Sequence, residues 1–141
     1  MKRDSKLSLA LHALGHMANS PDAPLRSQDM ALMGTTNPVV VRRVLGLLRL
    51  AGIVTSAKGH DGGWRLARPA TDISVADVYR AVGEPFFARP LPGPDNPAHC
   101  AIERALQATM QSALTRAESV LADTLAQQSI ADIARGLRPH S

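Results

Sequence analysis

The sequence contains little cysteine and few aromatic side chains. Cys100 is its one cysteine among 141 residues, which excludes an internal disulfide and any all-cysteine zinc or iron–sulfur site within a single chain. Aromatic residues make up 3% of a chain that is 45% hydrophobic, so small and aliphatic side chains must form the core. This composition favours helices over a β-sandwich. We therefore expect a mainly helical protein with no cofactor.

Long apolar runs are also missing from the sequence. No stretch of about 18 apolar residues is present that could span a bilayer. The first six residues lack the apolar segment of a secretory signal. We expect a cytoplasmic protein that has no membrane partner.

Positive charge is concentrated in the first part of the chain. Residues 1–83 contain 11 Lys and Arg against 6 Asp and Glu, a net charge of +5, whereas residues 84–141 contain 5 against 6. A basic region of this kind is expected in a protein that contacts phosphates.

Proline is concentrated in one segment. Five of the ten prolines lie between Glu84 and Pro97, where a helix cannot persist because proline lacks a backbone donor and biases the preceding residue towards extended conformations. We place a linker at 84–97, after a first domain at 1–83 and before a C-terminal part at 98–141.

Three helices are predicted in the first domain before its strands. Ser5 caps the first helix, Ser27 caps a short second helix that closes at Gly34, and Asn37 caps a third with Pro38 at its first position. A pair of helices joined by a short glycine-containing turn is typical of a helix-turn-helix motif.

A β-hairpin is predicted directly after this helix pair. Residues 53–55 and 64–66 have strand character, and the glycine-rich segment 59–63 between them predicts a tight turn. Ser74 and Asp77 then form a capping-box pattern ahead of a fourth helix. The predicted fold class is mainly α with a small β-wing: a winged helix-turn-helix followed by a long C-terminal helix.

The long helix is predicted from the cap Asn96 and Pro97 at its first position. Its stripe of small and aliphatic residues would be left partly exposed unless another chain covered it, which predicts a homodimer through residues 98–127. The stripe recurs every three or four positions and consists of Ile102, Leu106, Met110, Leu114, Ala117, Leu121 and Leu125.

A last short helix is capped by Ser129 and Asp132.

Candidate DNA-binding residues lie mainly at the start of the third helix and on the wing. The second helix of a helix-turn-helix enters the major groove, where Arg can bind guanine and Val can contact the thymine methyl, and a wing can reach phosphates. The alternative for the arginines is a solvated surface. The candidates are Ser27, Thr35, Thr36, Asn37, Val39, Val40, Arg42, Arg43, Lys58, His60 and Arg65.

Enzymatic and metal sites are weakly indicated. Lys58 and the glycines after it resemble a phosphate-binding loop, but such a loop leads into a helix, and here a strand follows. His12 and His16 are spaced to share a metal, yet no third ligand is near in sequence, and two surface or packed histidines are favoured. The sequence has no Gly-x-Ser-x-Gly elbow, so we expect no enzyme.

One combined pattern runs through the segments 9–14 (LALHAL), 42–45 (RRVL), 51–54 (AGIV), 59–67 (GHDGGWRLA), 73–78 (ISVADV) and 129–133 (SIADI). This pattern resembles the bacterial Rrf2 family, which includes IscR and NsrR. The resemblance implies a homodimer that binds palindromic operators, with the wing in the minor groove and DNA contacts from Arg42, Arg43 and Lys58. We expect such a regulator to be a repressor.

Cys100 departs from the cluster-binding members of that family. Those members hold an iron–sulfur cluster on three cysteines, and some add a carboxylate where this chain has Ser8, so an iron–sulfur cluster is not expected here. The Asn96-x-x-x-Cys100 pattern is similar to a cluster-free, YwnA-like branch. Cys100 is then either a redox or electrophile sensor, with His99 as a base, or a small buried hydrophobe.

Two other interpretations of function remain open. The protein could be an interaction module whose long helix binds another protein. It could also be a small-molecule-responsive regulator with a pocket near the linker aromatics Phe86 and Phe87.

Overall fold

A computed structural model describes residues 6–34, 37–59, 62–83 and 100–136. The described residues form six α-helices and one two-stranded antiparallel sheet. This architecture confirms the predicted fold class. The elements are α1 (Lys6–Asn19), α2 (Ser27–Gly34), α3 (Pro38–Leu50), β1 (Val54–Ala57), β2 (Gly63–Leu66), a 3-10 turn (Ala70–Asp72), α4 (Val75–Val82), α5 (Ala101–Ala126) and α6 (Ile130–Arg135).

Short-range capping signals place several helix ends. Asn37 is extended and its side chain accepts a hydrogen bond from the Val39 N–H, with Pro38 as the first helical residue of α3. Complete capping boxes begin α4 at Ser74 and α6 at Ser129. Each of these caps confirms the sequence prediction, because a polar side chain satisfies an N–H group that the helix itself leaves unpaired.

The strands of the wing are shifted towards its tip relative to the prediction. The sheet pairs Val54 with Leu66 and Ala57 with Gly63, whereas the sequence placed the first strand at 53–55. Ile53 precedes the ladder and is buried in the core. Its carbonyl still accepts the Ala67 N–H at 2.9 Å, so Ile53 joins the hairpin to the core.

The core lies where α1, α3 and α4 pack together, with contributions from β1 and α6. Complete burial of a Leu, Ile, Val or Met side chain contributes about 1.5–3 kcal/mol to stability. This aliphatic set forms the buried core, and Trp64 and Tyr79 pack against it as partly buried side chains. The largest side chains less than 2% exposed are those of Leu14, Met30, Val41, Val44, Leu45, Leu48, Ile53, Val54, Ile73, Val78 and Ile130.

The C-terminal helix α6 belongs to the same unit as the first domain. Residues 125–136 group with the described residues up to 83, and residues 100–124 form a second unit, whereas the sequence grouped everything after 98 together. The reason is direct packing: Ile130 is fully buried, α6 contacts α1, and the Asn19 side-chain amide donates to Ala134 O at 3.1 Å.

The second unit consists of most of α5, which begins at Ala101 where the sequence predicted a start near 98. Asn96 and Pro97, the predicted cap, lie outside the described residues, as do Ser5 and the linker 84–97. At 1.5 Å per residue, the 26 residues of α5 extend about 39 Å. No helix among the described residues is both long enough and apolar enough to span a membrane.

Candidate DNA interface

The two faces of α3 differ sharply in exposure. Its buried face holds Val41, Val44, Leu45 and Leu48 in the core. Its outer face exposes two large apolar side chains, Val39 at 52% and Val40 at 42%, together with Arg42 and Arg43. The structure thus brings four predicted DNA-binding residues onto one solvent-facing side of the same helix.

Asn37 joins this surface at the N-terminus of α3. Its side chain is exposed, and its Oδ1 accepts the Val39 N–H at 2.8 Å. This hydrogen bond holds the first turn in place, which is the turn that carries Val39 and Val40. Thr35 and Thr36, predicted beside it, lie outside the described residues.

The wing presents its own cations. Arg65 on β2 is exposed and pairs across the sheet with Thr55, and Lys58 is exposed just beyond the end of β1. His60, also predicted to contact DNA, lies outside the described residues. Lys58 and Arg65 have the charge that phosphate contacts require.

Close packing makes two glycines necessary where the turn of the wing meets β2. A Cβ on Gly62 would clash with Ala57 O within the turn. Gly63 has a φ of 140°, which L-residues rarely adopt, and its Cβ would lie 2.9 Å from the Pro24 side chain. Gly62 is therefore required by the turn, and Gly63 by its own φ and by the approach of Pro24.

The wing is fastened to the helix-turn-helix through Trp64. The backbone N–H of Trp64 donates to Leu25 O at 2.8 Å, and the backbone N–H of Leu25 donates to Trp64 O at 2.9 Å. The indole Nε1–H also donates to the Ser27 hydroxyl at 3.1 Å. Ser27, predicted as a helix cap, is instead the first residue of α2 and is half-buried. Its predicted DNA contact stays a prediction.

Arg49 is a residue that the sequence reasoning missed. It is exposed near the end of α3, and its NH1 donates to the Ser56 hydroxyl of β1 at 3.4 Å. Arg49 lies seven positions after Arg42, two helical turns along one face. That spacing was readable in the sequence and extends the basic face of α3 towards the wing.

Comparison with known proteins agrees with this geometry. Residues 3–136 match the model of the Rrf2 family, described as an iron-dependent transcriptional regulator. The chain belongs to the Rrf2 family. Its relatives include the Bacillus subtilis (strain 168) protein YwnA, assigned as an HTH-type transcriptional regulator, which is 36% identical over 92% of this chain and 95% of YwnA.

Solved structures show the same fold. One, described as a DNA-binding protein, is 30% identical with a TM-score of 0.72 and covers 92% of this chain and 98% of its own. Another, assigned as a transcriptional regulator from Lactobacillus plantarum, is 25% identical with a TM-score of 0.76 and covers 96% and 91%. This Rrf2 chain is therefore a winged-helix, DNA-binding transcriptional regulator.

The family description raises the question of an iron cluster, and the donor set of this chain does not fit one. Iron–sulfur clusters are held chiefly by several cysteine thiolates, and this chain has one cysteine. Within the described residues, no group of three or more His, Cys, Asp or Glu side chains is placed to hold a metal ion.

Cys100 is exposed immediately before α5. Within a single chain the thiol and the rest of the first turn of α5 are exposed, and both interpretations of Cys100 stay predictions. The Sγ accepts the Glu103 N–H at 3.3 Å, so the sulfur lies at the N-terminal end of the helix.

Two further sequence predictions concern other residues. Phe86 and Phe87, proposed to line a ligand pocket, are outside the described residues. His12 and His16 contact each other on α1. Partial burial, together with the neighbouring His12, lowers the pKa of His16.

Proposed function

We propose that the protein binds a palindromic operator as a homodimer and represses transcription, without enzymatic activity and without a cluster. The observation that carries the DNA-binding role is the outer face of α3, where Arg42, Arg43 and Arg49 are exposed beside a wing that carries Lys58 and Arg65. Arginines can bind guanine edges in the major groove, and wing cations can neutralise phosphates.

DNA binding is tested by fluorescence anisotropy on operator duplexes selected from random sequence. We expect R42A/R43A to weaken binding by roughly tenfold or more, since each base contact is worth about 1–3 kcal/mol. Each phosphate contact that is lost should reduce the slope of log affinity against log salt by about 1.

The matched control is R104A/R116A, which removes the same charge from exposed positions of α5. Equal losses of DNA affinity in the two double variants would mean that overall charge, and not the outer face of α3, explains the effect. A wild type that binds no duplex would contradict the proposal and favour a protein-interaction module.

The homodimer is proposed through α5. Ile102, Leu106 and Met110 are 80%, 60% and 45% exposed, and they lie at successive intervals of four residues. Monomeric proteins rarely expose such continuous apolar surface. A second copy related by a two-fold axis would cover the stripe with the same stripe, and a two-fold dimer matches a palindromic site.

Sedimentation equilibrium tests the dimer. L106E places a charge within the stripe and should yield monomers that bind one half-site weakly. S112E adds the same charge to an exposed position that lies, at about 100° per residue, roughly 120° around the helix from Leu106. It should remain dimeric. A monomeric wild type, or a dimer unaffected by L106E, would contradict this interface.

The regulatory step is proposed at Cys100. Its thiolate would attack a hydroperoxide, forming an S–O bond as the O–O bond breaks, so that the sulfur is oxidised to sulfenic acid and the peroxide is reduced to an alcohol or water. His99, the preceding residue in the sequence, is proposed as the base that takes the thiol proton.

Operator affinity should change on peroxide treatment of the wild type and return with a thiol reductant. C100S should not respond. Equal affinities for both proteins in both states would reject Cys100 as the sensor.

A further inference from the structure

The two histidines of α1 approach each other through the same ring atom. His12 and His16 are four residues apart, and their Nε2 atoms are 3.2 Å apart, within hydrogen-bonding distance. The ring centroids are 4.6 Å apart and the planes meet at 68°. Both imidazoles thus direct a potential metal-ligating atom towards one point on the surface of the helix.

This separation is the one that a shared metal ion would require. With metal–nitrogen distances of about 2.0–2.1 Å, two nitrogens 3.2 Å apart subtend an angle of roughly 100–106° at the metal. That angle lies between the tetrahedral and square-planar values. Neutral imidazole is a good ligand for zinc, nickel and copper, and a metal would replace the hydrogen bond that now joins the two rings.

We propose that His12 and His16 form a two-imidazole binding site for a late divalent transition metal. Within the described residues, no third His, Cys, Asp or Glu side chain completes a group with this pair, so water or an exogenous ligand fills the remaining positions. His12 is exposed and His16 half-exposed, which leaves the site open to such ligands. Neither histidine is among the predicted DNA-binding residues.

The metal preference follows from the ligands. Two imidazoles with open positions impose little geometry, so affinity should follow the general order for divalent metals, with Ni²⁺ above or near Zn²⁺ and Cu²⁺ above both. Because both ligands stand one turn apart on the same helix, a bound ion should also stabilise α1.

Calorimetric titration of the tag-free full-length protein with Ni²⁺ tests the site. We expect one ion bound per chain. Loss of either ligand in H12Q or H16Q should weaken binding on the order of 100-fold, because a single imidazole loses the advantage of chelation. Ni²⁺ should raise the melting temperature of the wild type and not that of either variant.

The control is H60Q/H99Q/H140Q, which removes the three other histidines and leaves the pair intact. It should bind Ni²⁺ as the wild type does. Circular dichroism of the metal-free variants verifies that each is folded. Unchanged affinity in both H12Q and H16Q, or loss of binding in the triple variant, would overturn the assignment.

Discussion

The indole Nε1–H of Trp64 donates a hydrogen bond to the Ser27 hydroxyl across 3.1 Å, and this contact ties β2 of the wing to the start of α2. The wing has two strands of four residues each. A two-stranded hairpin of this size is marginal by itself. Its position relative to α3 therefore depends on contacts with the helix pair.

Removal of the Trp64–Ser27 hydrogen bond should lower both stability and DNA affinity. W64F and S27A should each reduce the free energy of unfolding by about 0.5–1.5 kcal/mol, and the double variant should lose less than the sum. Denaturant unfolding of the four proteins measures this coupling. Additive losses would show that the bond contributes nothing, and S112A provides an exposed-serine control.

The two capping boxes are joined at their caps. Ser74 and Ser129 form an isolated antiparallel bridge, in which the Val75 N–H donates to Gln128 O at 2.9 Å and the Ile130 N–H donates to Ile73 O at 2.8 Å. S74A and S129A should each cost about 1 kcal/mol of stability. Because the caps adjoin, the two losses should not add, and a double-mutant cycle by urea unfolding measures the difference.

Asp77 makes the stability of α4 depend on pH. The Ser74 backbone N–H, with Arg80 and the Ser74 hydroxyl, lowers the pKa of Asp77 despite an opposing effect of burial. A carboxyl whose folded pKa is depressed stabilises the protein above its unfolded pKa. That contribution is lost as the pH falls towards the folded pKa.

D77N should therefore be less stable than the wild type near pH 7, and the gap should narrow as the pH falls below about 4. Thermal unfolding across that range measures it. The control D123N changes an exposed carboxyl of α5. A gap that is constant with pH would contradict the role of the charge.

Substitution of two glycines by alanine should change the free energy of unfolding in opposite directions. Gly46 lies inside α3, and a Cβ there would meet nothing within 4 Å, so G46A should raise the free energy of unfolding by about 0.5–1 kcal/mol. G62A would force a Cβ against Ala57 O and should cost about 1–3 kcal/mol. Chemical denaturation decides both, and a tolerated G62A would show that the turn can open.

The sequence alone determined the features that depend on neighbours two to four positions apart. The caps at Asn37, Ser74 and Ser129 follow from a polar side chain that reaches an N–H two or three residues ahead. The exposed and buried faces of α3 follow from helical periodicity. The spacing of His12 and His16 is equally local, although only the structure shows that their Nε2 atoms meet.

The tertiary structure decided the features that join distant parts of the chain. Ser27 accepts a hydrogen bond from Trp64, which lies 37 residues further along the chain. Asn19 donates one to Ala134, which lies 115 residues further along. Such partners depend on how whole elements pack, because the burial of apolar faces determines which polar groups come close enough to form hydrogen bonds. For this reason the sequence could name the basic residues of α3 and the wing, but not the tryptophan that holds the wing to the helix pair.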